Sequence, residues 1–168
     1  KHLPDEIELN DVTDEYCVFG IFGPKSRLLM QKLSKDDFSN ENFKFATSKD
    51  IKIDEIQIWA QRLSYVGELG YELYVKSSKA KDIYKKIIEE GKNFNISNCG
   101  MHALDTMRME SGFLHWGHDM SPEENQYQAG LNFTISFKKQ IDFIGKEALE
   151  KIKNKKPITK LVMLSLKE

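Results

Sequence analysis

Glu72 and Tyr65 are the residues whose types and spacing point most directly to chemistry. They stand at the two ends of residues 65–72, a segment that also contains Gly67 and Gly70. A carboxylate can accept two parallel N–H donors, as it does from a guanidinium, and could hold the aminopyrimidinone edge of a heterocycle in the same way. A tyrosine beside it could pack against that flat ring or hydrogen-bond to it. For Glu72 the alternative is a solvated carboxylate on the face of a sheet.

Asp105 and Arg108 form a second candidate group, on a predicted helix. Residues three apart on a helix can pair on its surface, so a local ion pair is the expected structure. The rival interpretation is that Arg108 reaches into a cleft and pairs there with another acid.

His115 and His118 invite interpretation as metal ligands. Gly117 lies between them and argues against a rigid helical pair, and Asp119 is the one further ligand nearby. Metal sites in proteins generally need about three or four such ligands. We therefore expect structural loop histidines and no metal site.

The residues around the 65–72 segment predict a β-hairpin that positions Glu72. Apolar side chains alternate with others at positions 56, 58 and 60 before the loop and at positions 71, 73 and 75 after it. Such period-two runs, joined by a loop with glycines, are typical of two antiparallel strands. The alternation places Glu72 on the face opposite Tyr71, Leu73 and Val75.

Other parts of the chain predict further strands and helices. The expected strands are residues 16–22, 43–47, 51–53, 132–137 and, with looser alternation, 159–166. One short helix is expected directly after Gly23-Pro24. Three further helices are expected at residues 77–91, 101–111 and 145–152. The helix at 101–111 should bury Met101, Leu104 and Met107. Mixed strands and helices indicate an α+β or α/β domain.

Charge and composition exclude several functional classes. The 168 residues carry 25 basic and 26 acidic side chains, so no long-range field would recruit nucleic acid or an anionic membrane. The lack of a long apolar run predicts no membrane span. Cys17 and Cys99 lack metal-like spacing and favour a reducing compartment, which we expect to be the cytoplasm or, in a eukaryote, the mitochondrial matrix. The glycines form neither a dinucleotide fingerprint nor a phosphate loop.

Residues 65–72 resemble the Tyr-Thr-Gly-Glu-x-Gly-x-Glu signature of the folate-binding aminomethyltransferase (glycine-cleavage T-protein) family. Residues 19–26 are similar to the family's strand-Gly-Pro-helix segment, and residues 99–110 to its Gly-x-x-Ala-Arg-Asp-x-Leu-Arg-Leu-Glu helix. Residues 129–131 and 143–149 resemble its later Ala-Gly-Leu and Phe-Ile-Gly-Arg-x-Ala-Leu motifs. These matches occur in the family's order.

Within the family, the chain is most similar to the folate domain of dimethylglycine and sarcosine dehydrogenases. Residues 67–75 resemble their Gly-Glu-Leu-Gly-x-Glu-Leu-Tyr-Val form, and residues 112–119 their Gly-Phe-x-His-Trp-Gly-His-Asp form. The family's Ala-Arg-Asp triplet appears here as Ala103-Leu104-Asp105, without the arginine. The family's acid/base aspartate would lie upstream of Lys1, so the catalytic residue is unknown and none is assigned.

The resemblance implies an α+β cloverleaf around a central folate channel, followed by a small β-barrel domain. Residues 1–156 would form the folate-binding domain without its N-terminal part, and residues 157–168 the first strand of the truncated barrel. The chain is thus expected to be a fragment that is inactive alone. Glu72 and Tyr65 fall on the family's folate-facing glutamate and tyrosine. Phe133 falls on an aromatic position of its Ala-Gly-Leu-x-Trp motif, as either a pocket wall or a core residue.

The activity implied by the resemblance is tetrahydrofolate-dependent one-carbon transfer. It would form 5,10-methylenetetrahydrofolate from a carbon released by an N-methyl amine such as dimethylglycine or sarcosine. FAD would be a further cofactor only if a dehydrogenase domain precedes the chain. Two rival functions remain open: a glycine-cleavage aminomethyltransferase acting on an aminomethyl-lipoyl carrier, and a non-catalytic folate-binding or interaction module. The expected partners are folate and a small N-methyl amine or lipoyl carrier.

Overall fold

A computed structural model describes residue 4 and residues 6–166 as two compact units, the first ending at Phe113 and the second beginning at Leu114. The first unit contains, in chain order, β1 (Tyr16–Phe22), α1 (Ser26–Leu33), β2 (Ser48–Ile53), β3 (Ile56–Gln61), β4 (Gly70–Lys76), α2 (Ser77–Gly91) and α3 (Met101–Glu110). The second contains α4 (Lys146–Ile152). The predicted α+β class is confirmed. None of the helices in this described part of the chain is both long and apolar enough to cross a membrane.

β4 is central to the sheet of the first unit because it pairs with a strand on each side. The strand order is β1-β4-β3-β2, and every neighbouring pair is antiparallel. The predicted hairpin is therefore confirmed, with residues 62–69 as its loop. The paired residues of β3 and β4 are Trp59–Tyr74, Ala60–Leu73 and Gln61–Glu72.

The core lies on one face of this sheet, where α1 and α2 pack. Tyr71, Leu73 and Val75 of β4 are fully buried there, among apolar side chains of the neighbouring strands. Ile83 and Ile87 form the buried stripe of α2. Because side chains alternate along a strand, the residues between those of the β4 core lie on the opposite face, which we call the outer face.

The strand predicted for residues 43–47 is wrong, because Phe43 enters the core instead of alternating across a strand. Its side chain is buried, and its ring centroid lies 5.6 Å from that of Tyr71. The Arg62 guanidinium donates to the Phe43 carbonyl at 2.5 Å, which holds this segment in a turn. β2 then begins at Ser48.

The strand predicted for residues 132–137 is also wrong, since Asn132–Thr134 forms a 3-10 turn. An alternating run needs a partner strand to satisfy its backbone groups. The described residues of the second unit contain no strand, and their one isolated β-bridge joins Trp116 and Met120.

The expected barrel strand is likewise not formed within residues 157–166. Residues 1–3, 5, 167 and 168 lie outside the described part, which leaves out the end of that segment. The domain boundary at residue 157, the barrel and the cloverleaf stay predictions.

The helix predicted for residues 101–111 is confirmed as α3, but its buried face differs from the prediction. Met101 is 73% exposed, whereas Leu104 and Met107 are half-buried. The fully buried residue of this helix is Arg108. The apolar pattern therefore predicted the helix correctly. It did not predict the buried face, because the fully buried position of α3 is taken by the charged residue Arg108.

Asp36 connects the end of α1 to the free edge of β2. Its Oδ2 accepts hydrogen bonds from the Lys52 backbone N–H at 3.0 Å and from the Ser34 hydroxyl at 2.8 Å. The backbone hydrogen bond from Lys52 is the main cause that lowers the pKa of the Asp36 carboxyl, and burial partly opposes it. An edge strand exposes unpaired N–H groups, and Asp36 satisfies one of them.

Asp36→Asn should lower the free energy of unfolding by about 1 kcal/mol at neutral pH, because the amide lacks the charge that strengthens both hydrogen bonds. A lowered folded pKa adds stability above the ordinary value of 3.8 and loses it as the pH falls through the folded value. The difference from the wild type, measured by urea unfolding, should therefore shrink as the pH is lowered below 3.8. Glu41→Gln, at an exposed carboxylate, is the control and should change little. A difference that stays constant with pH would contradict this role.

Candidate functional site

Glu72 lies in the middle of β4, with its side chain half-buried on the outer face of the sheet. It pairs with Gly20 of β1 on one side and with Gln61 of β3 on the other. The Tyr74 hydroxyl donates a hydrogen bond to Glu72 Oε2 at 3.1 Å. The position opposite the core, predicted from the alternation, is confirmed for Glu72.

Trp59, Tyr74 and Val18 form a row of largely apolar surface beside Glu72. They are paired across three neighbouring strands on the outer face. The ring centroids of Trp59 and Tyr74 are 4.7 Å apart, and Trp59 and Val18 are 43% and 51% exposed. An accessible aromatic surface next to a carboxylate can bind a planar heterocycle that carries N–H donors along one edge.

Phe22 covers the glycine backbone next to Glu72. A Cβ atom at Gly20, the residue paired with Glu72, would lie 2.6 Å from the tip of the Phe22 ring. A Cβ atom at Gly70 would collide with the same ring and would lie 2.9 Å from Ser64 Cβ. Both positions need glycine because the ring occupies the space of a side chain. Phe22 thus extends the apolar surface on the β1 side of Glu72.

Tyr65 lies half-buried in the hairpin loop, and contacts with the end of α3 hold that loop. Its ring stacks on Phe113 with centroids 6.3 Å apart and planes 20° apart. The Ser111 hydroxyl donates to the Val66 carbonyl at 2.9 Å. Gly67 has a φ of +75° and approaches Ser111 so closely that a Cβ atom would collide with it. The loop conformation therefore depends on Ser111 and Phe113, which are separated from it in the chain by β4, α2 and α3.

The ion pair between Asp105 and Arg108 is confirmed, and its arginine is buried at 1% exposure. Arg108 Nε and Nη2 lie 2.7 and 2.6 Å from Asp105 Oδ1, and Nη1 donates to the Phe113 carbonyl at 3.1 Å. A buried guanidinium needs such partners, because an unpaired buried charge is costly. The hydrogen bond from Arg108 to the Phe113 carbonyl therefore links α3 to the residue whose ring stacks on Tyr65.

Burial, followed by the negative charge of Glu72 and the hydrogen bond to it, raises the pKa of Tyr74 above its usual 10.0. The phenol consequently stays protonated at neutral pH. Tyr74 can then act as a steady donor, with the Glu72 carboxylate as its acceptor.

Phe133 and the histidines lie in the second unit. Phe133 is 79% exposed. Asp119 accepts from the His115 backbone N–H at 2.8 Å, and its other oxygen lies 3.0 Å from His118 Nδ1. Among the described residues, no group of three His, Cys, Asp or Glu side chains is arranged to hold a metal ion. Asp119 organises this loop, and the assignment of Phe133 to a pocket wall stays a prediction.

A cavity of about 880 Å³ lies elsewhere in the first unit, between the end of α1 and the β2–β3 hairpin. Glu72 does not line it. Its lining mixes acidic and basic side chains, and Lys86 is paired there with Asp54. Matched charges of this kind do not converge on one ligand chemistry. We therefore identify the outer face around Glu72 as the candidate site.

The sequence analysis proposed Glu72 and Tyr65 but gave no role to the aromatic residues that contact them or lie beside them in the structure. Tyr74 stands two positions after Glu72 on the same strand face, and this spacing alone could have identified it. Trp59 becomes a neighbour only through the register of β3 on β4. Phe113 reaches Tyr65 across a contact that no local pattern encodes.

The profile of the GCVT N-terminal domain matches residues 1–139 of the chain. Mitochondrial dimethylglycine dehydrogenase of Rattus norvegicus is 40% identical over 161 residues, which are 96% of this chain and 19% of that protein. 4-Methylaminobutanoate oxidase (formaldehyde-forming) of Paenarthrobacter nicotinovorans is 38% identical over 158 residues, 94% of this chain and 19% of that protein. Aminomethyltransferase of Alkaliphilus metalliredigens (strain QYMF) is 32% identical over 163 residues, 97% of this chain and 44% of that protein. The chain thus spans about a fifth of the length of the dehydrogenase and the oxidase.

Gly70→Ala should lower the free energy of unfolding by about 1–3 kcal/mol, because the new methyl group would displace the Phe22 ring from the surface beside Glu72. Urea unfolding measures this change. Gly100→Ala is the matched control, since no atom lies within 4 Å of the Cβ that it adds. Equal effects of the two substitutions would contradict the packing of Phe22 on Gly70.

Proposed function

Because the chain belongs to the family of the GCVT N-terminal domain, we propose that the outer face around Glu72 binds tetrahydrofolate in a protein that transfers one-carbon units. The observation that carries this proposal is the half-buried Glu72 carboxylate beside an exposed aromatic surface. A pterin ring offers the matching chemistry: a flat heterocycle with an amino group and a ring N–H side by side on one edge.

The residues of this site fit such a ring. An ionised carboxylate has about four lone-pair sites, and the Tyr74 hydroxyl uses one of them. Glu72 therefore keeps enough acceptor capacity for two parallel N–H donors. The Trp59 ring supplies an accessible flat surface one strand away, so the edge and the face of a heterocycle each have a partner.

We assign Glu72 as the residue that binds the amino edge of the pterin and Tyr65 as a second contact to the ring. Stacking on Phe113 limits the motion of Tyr65 and favours a fixed orientation. The assignment of Phe133 to a pocket wall rests on the family resemblance alone.

When bound, tetrahydrofolate would supply N5 and N10 as nucleophiles toward a carbon at the oxidation level of formaldehyde, and their condensation with it would release water and give 5,10-methylenetetrahydrofolate; Glu72 and Tyr65 would hold the pterin ring. The residues of this chain bind and orient, which lowers the entropic cost of bringing the reactants together. The proton-transfer residue is not assigned to this chain. FAD would take part only through a dehydrogenase segment of the same protein.

The proposed carbon donor is an N-methyl amine such as dimethylglycine or sarcosine. The similarity to a dimethylglycine dehydrogenase and to a formaldehyde-forming methylaminobutanoate oxidase supports this donor class. The mitochondrial name of the rat relative supports the mitochondrial matrix in a eukaryote, with the cytoplasm as the location otherwise.

The second candidate function is an aminomethyltransferase that takes its carbon from a lipoyl carrier. The similarity to the Alkaliphilus aminomethyltransferase, of which the chain covers a larger share, favours it. Supplying the protein that carries this chain with sarcosine, dimethylglycine or an aminomethyl-lipoyl carrier, and measuring 5,10-methylenetetrahydrofolate, separates the two donor classes. Folate binding without turnover of any donor would instead indicate a non-catalytic folate-binding module.

Glu72→Gln should weaken tetrahydrofolate binding by about tenfold to a hundredfold, because the amide loses the charge and one of the two acceptor oxygens. Anaerobic isothermal titration calorimetry measures this affinity. Glu68→Gln removes an exposed carboxylate from the same hairpin and should leave the affinity unchanged. Unchanged affinity in Glu72→Gln would refute the assignment of the site.

A further inference from the structure

We propose that Tyr74 is a positioning residue that holds the Glu72 carboxylate in the orientation that binds the pterin edge. This inference rests on the proposed function, and it adds a residue to which neither the family signature nor the sequence pattern gave a role. The observation that leads to it is the hydrogen bond from the Tyr74 hydroxyl to Glu72 Oε2, at 3.1 Å.

The backbone sets up this contact. Tyr74 and Glu72 are separated by one residue of β4, so both side chains leave the sheet on its outer face. β4 is hydrogen-bonded on both sides there, with Val18 and Gly20 as the partners on β1. The backbone therefore fixes the directions of the two Cα–Cβ bonds. The Glu72 carboxylate can still move by rotation about its side-chain torsions.

Neighbouring side chains on both adjacent strands restrict the Tyr74 ring. Its ring packs against Trp59 of β3 with centroids 4.7 Å apart and planes tilted by 44°, and it pairs with Val18 of β1 on the other side. Trp59 is 43% exposed, so this ring contact lies on the surface of the outer face and outside the core. The row of Trp59, Tyr74 and Val18 can therefore serve the site without being needed to hold the sheet together.

Tyr74 is the neighbour whose side chain hydrogen-bonds to Glu72, although Gln61 of β3 also stands opposite it. The β1 residue opposite Glu72 is Gly20, which has no side chain to reach across, and the Phe22 ring that covers it is apolar. A phenol donates one hydrogen bond and adds no charge, so it leaves the carboxylate ionised and its remaining lone pairs available. A phenol with the ordinary pKa of 10.0 is already protonated at neutral pH, and the raised pKa of Tyr74 preserves this donor to higher pH.

The consequence is preorganisation. A glutamate side chain has three rotatable torsions, and a ligand that must order them loses part of its binding free energy. Fixing one carboxylate oxygen on Tyr74 before the ligand arrives sets the plane of the carboxylate, and with it the direction of the acceptor pair.

A double-mutant cycle of Tyr74→Phe and Glu72→Gln, measured by anaerobic calorimetry with tetrahydrofolate, tests this inference. Tyr74→Phe keeps the ring contact with Trp59 and removes the donor, and should weaken binding by about threefold to tenfold. In the Glu72→Gln background the same change should have almost no further effect, because its action runs through the carboxylate. Tyr16→Phe, on the same face but opposite Lys76, is the matched control and should leave binding unchanged.

If Tyr74 had only a structural role, Tyr74→Phe would weaken binding equally in the wild type and in the Glu72→Gln variant. That result would overturn the inference. Unchanged binding in Tyr74→Phe, with Glu72→Gln still impaired, would overturn it while leaving the proposed function intact. Absence of tetrahydrofolate binding by the wild type would overturn both.

A measurement without ligand checks the contact itself. Ultraviolet titration of the wild type against Tyr74→Phe isolates the ionisation of this phenol. Glu72→Gln should lower the pKa of Tyr74, because the negative charge and the accepting oxygen that raise it are gone. An unchanged titration of Tyr74 would show that the hydrogen bond is not formed, and the inference would then fail even if folate binds.

Discussion

The pairing of β4 on both sides is the constraint on which the candidate site depends. A strand hydrogen-bonded to neighbours at both edges cannot shift its register by one residue without turning its whole buried face outward. Tyr71, Leu73 and Val75 fill the core, and their burial holds Glu72 and Tyr74 on the outer face. The burial of the core face, which stabilises the sheet, thus also fixes the side of the sheet on which Glu72 and Tyr74 are available to a ligand.

A second set of contacts positions the hairpin loop. Arg108, buried in α3, donates to the Phe113 carbonyl, and the Phe113 ring stacks on Tyr65. Ser111 bonds the Val66 carbonyl from the same helix end. The position of the Tyr65 ring therefore depends on the buried Arg108, through Phe113. Removing Asp105 would take a carboxylate partner away from this buried guanidinium, which is costly.

The sequence could predict those parts of the fold that are set by local pattern. The alternation around Glu72 gave the hairpin and the face of each residue, because a core on one side imposes a period of two. It failed for residues 132–137, where an alternating run has no partner strand among the described residues, and for residues 43–47, where Phe43 leaves the strand pattern to pack on Tyr71. Contacts between distant segments, such as Trp59 on Tyr74, required the strand register and could not be read from one segment.

The central claim is that the outer face around Glu72 receives the folate ring, and nuclear magnetic resonance tests it most directly. Titrating the isotope-labelled protein with tetrahydrofolate should move the signals of the Glu72 backbone amide, the Gln61 side-chain amide and the Trp59 indole N–H together, at one binding constant. Signals of Lys32 and Lys52, which line the cavity beside α1, should stay in place. Shifts confined to those lysines, with Glu72 and Trp59 unmoved, would contradict the account.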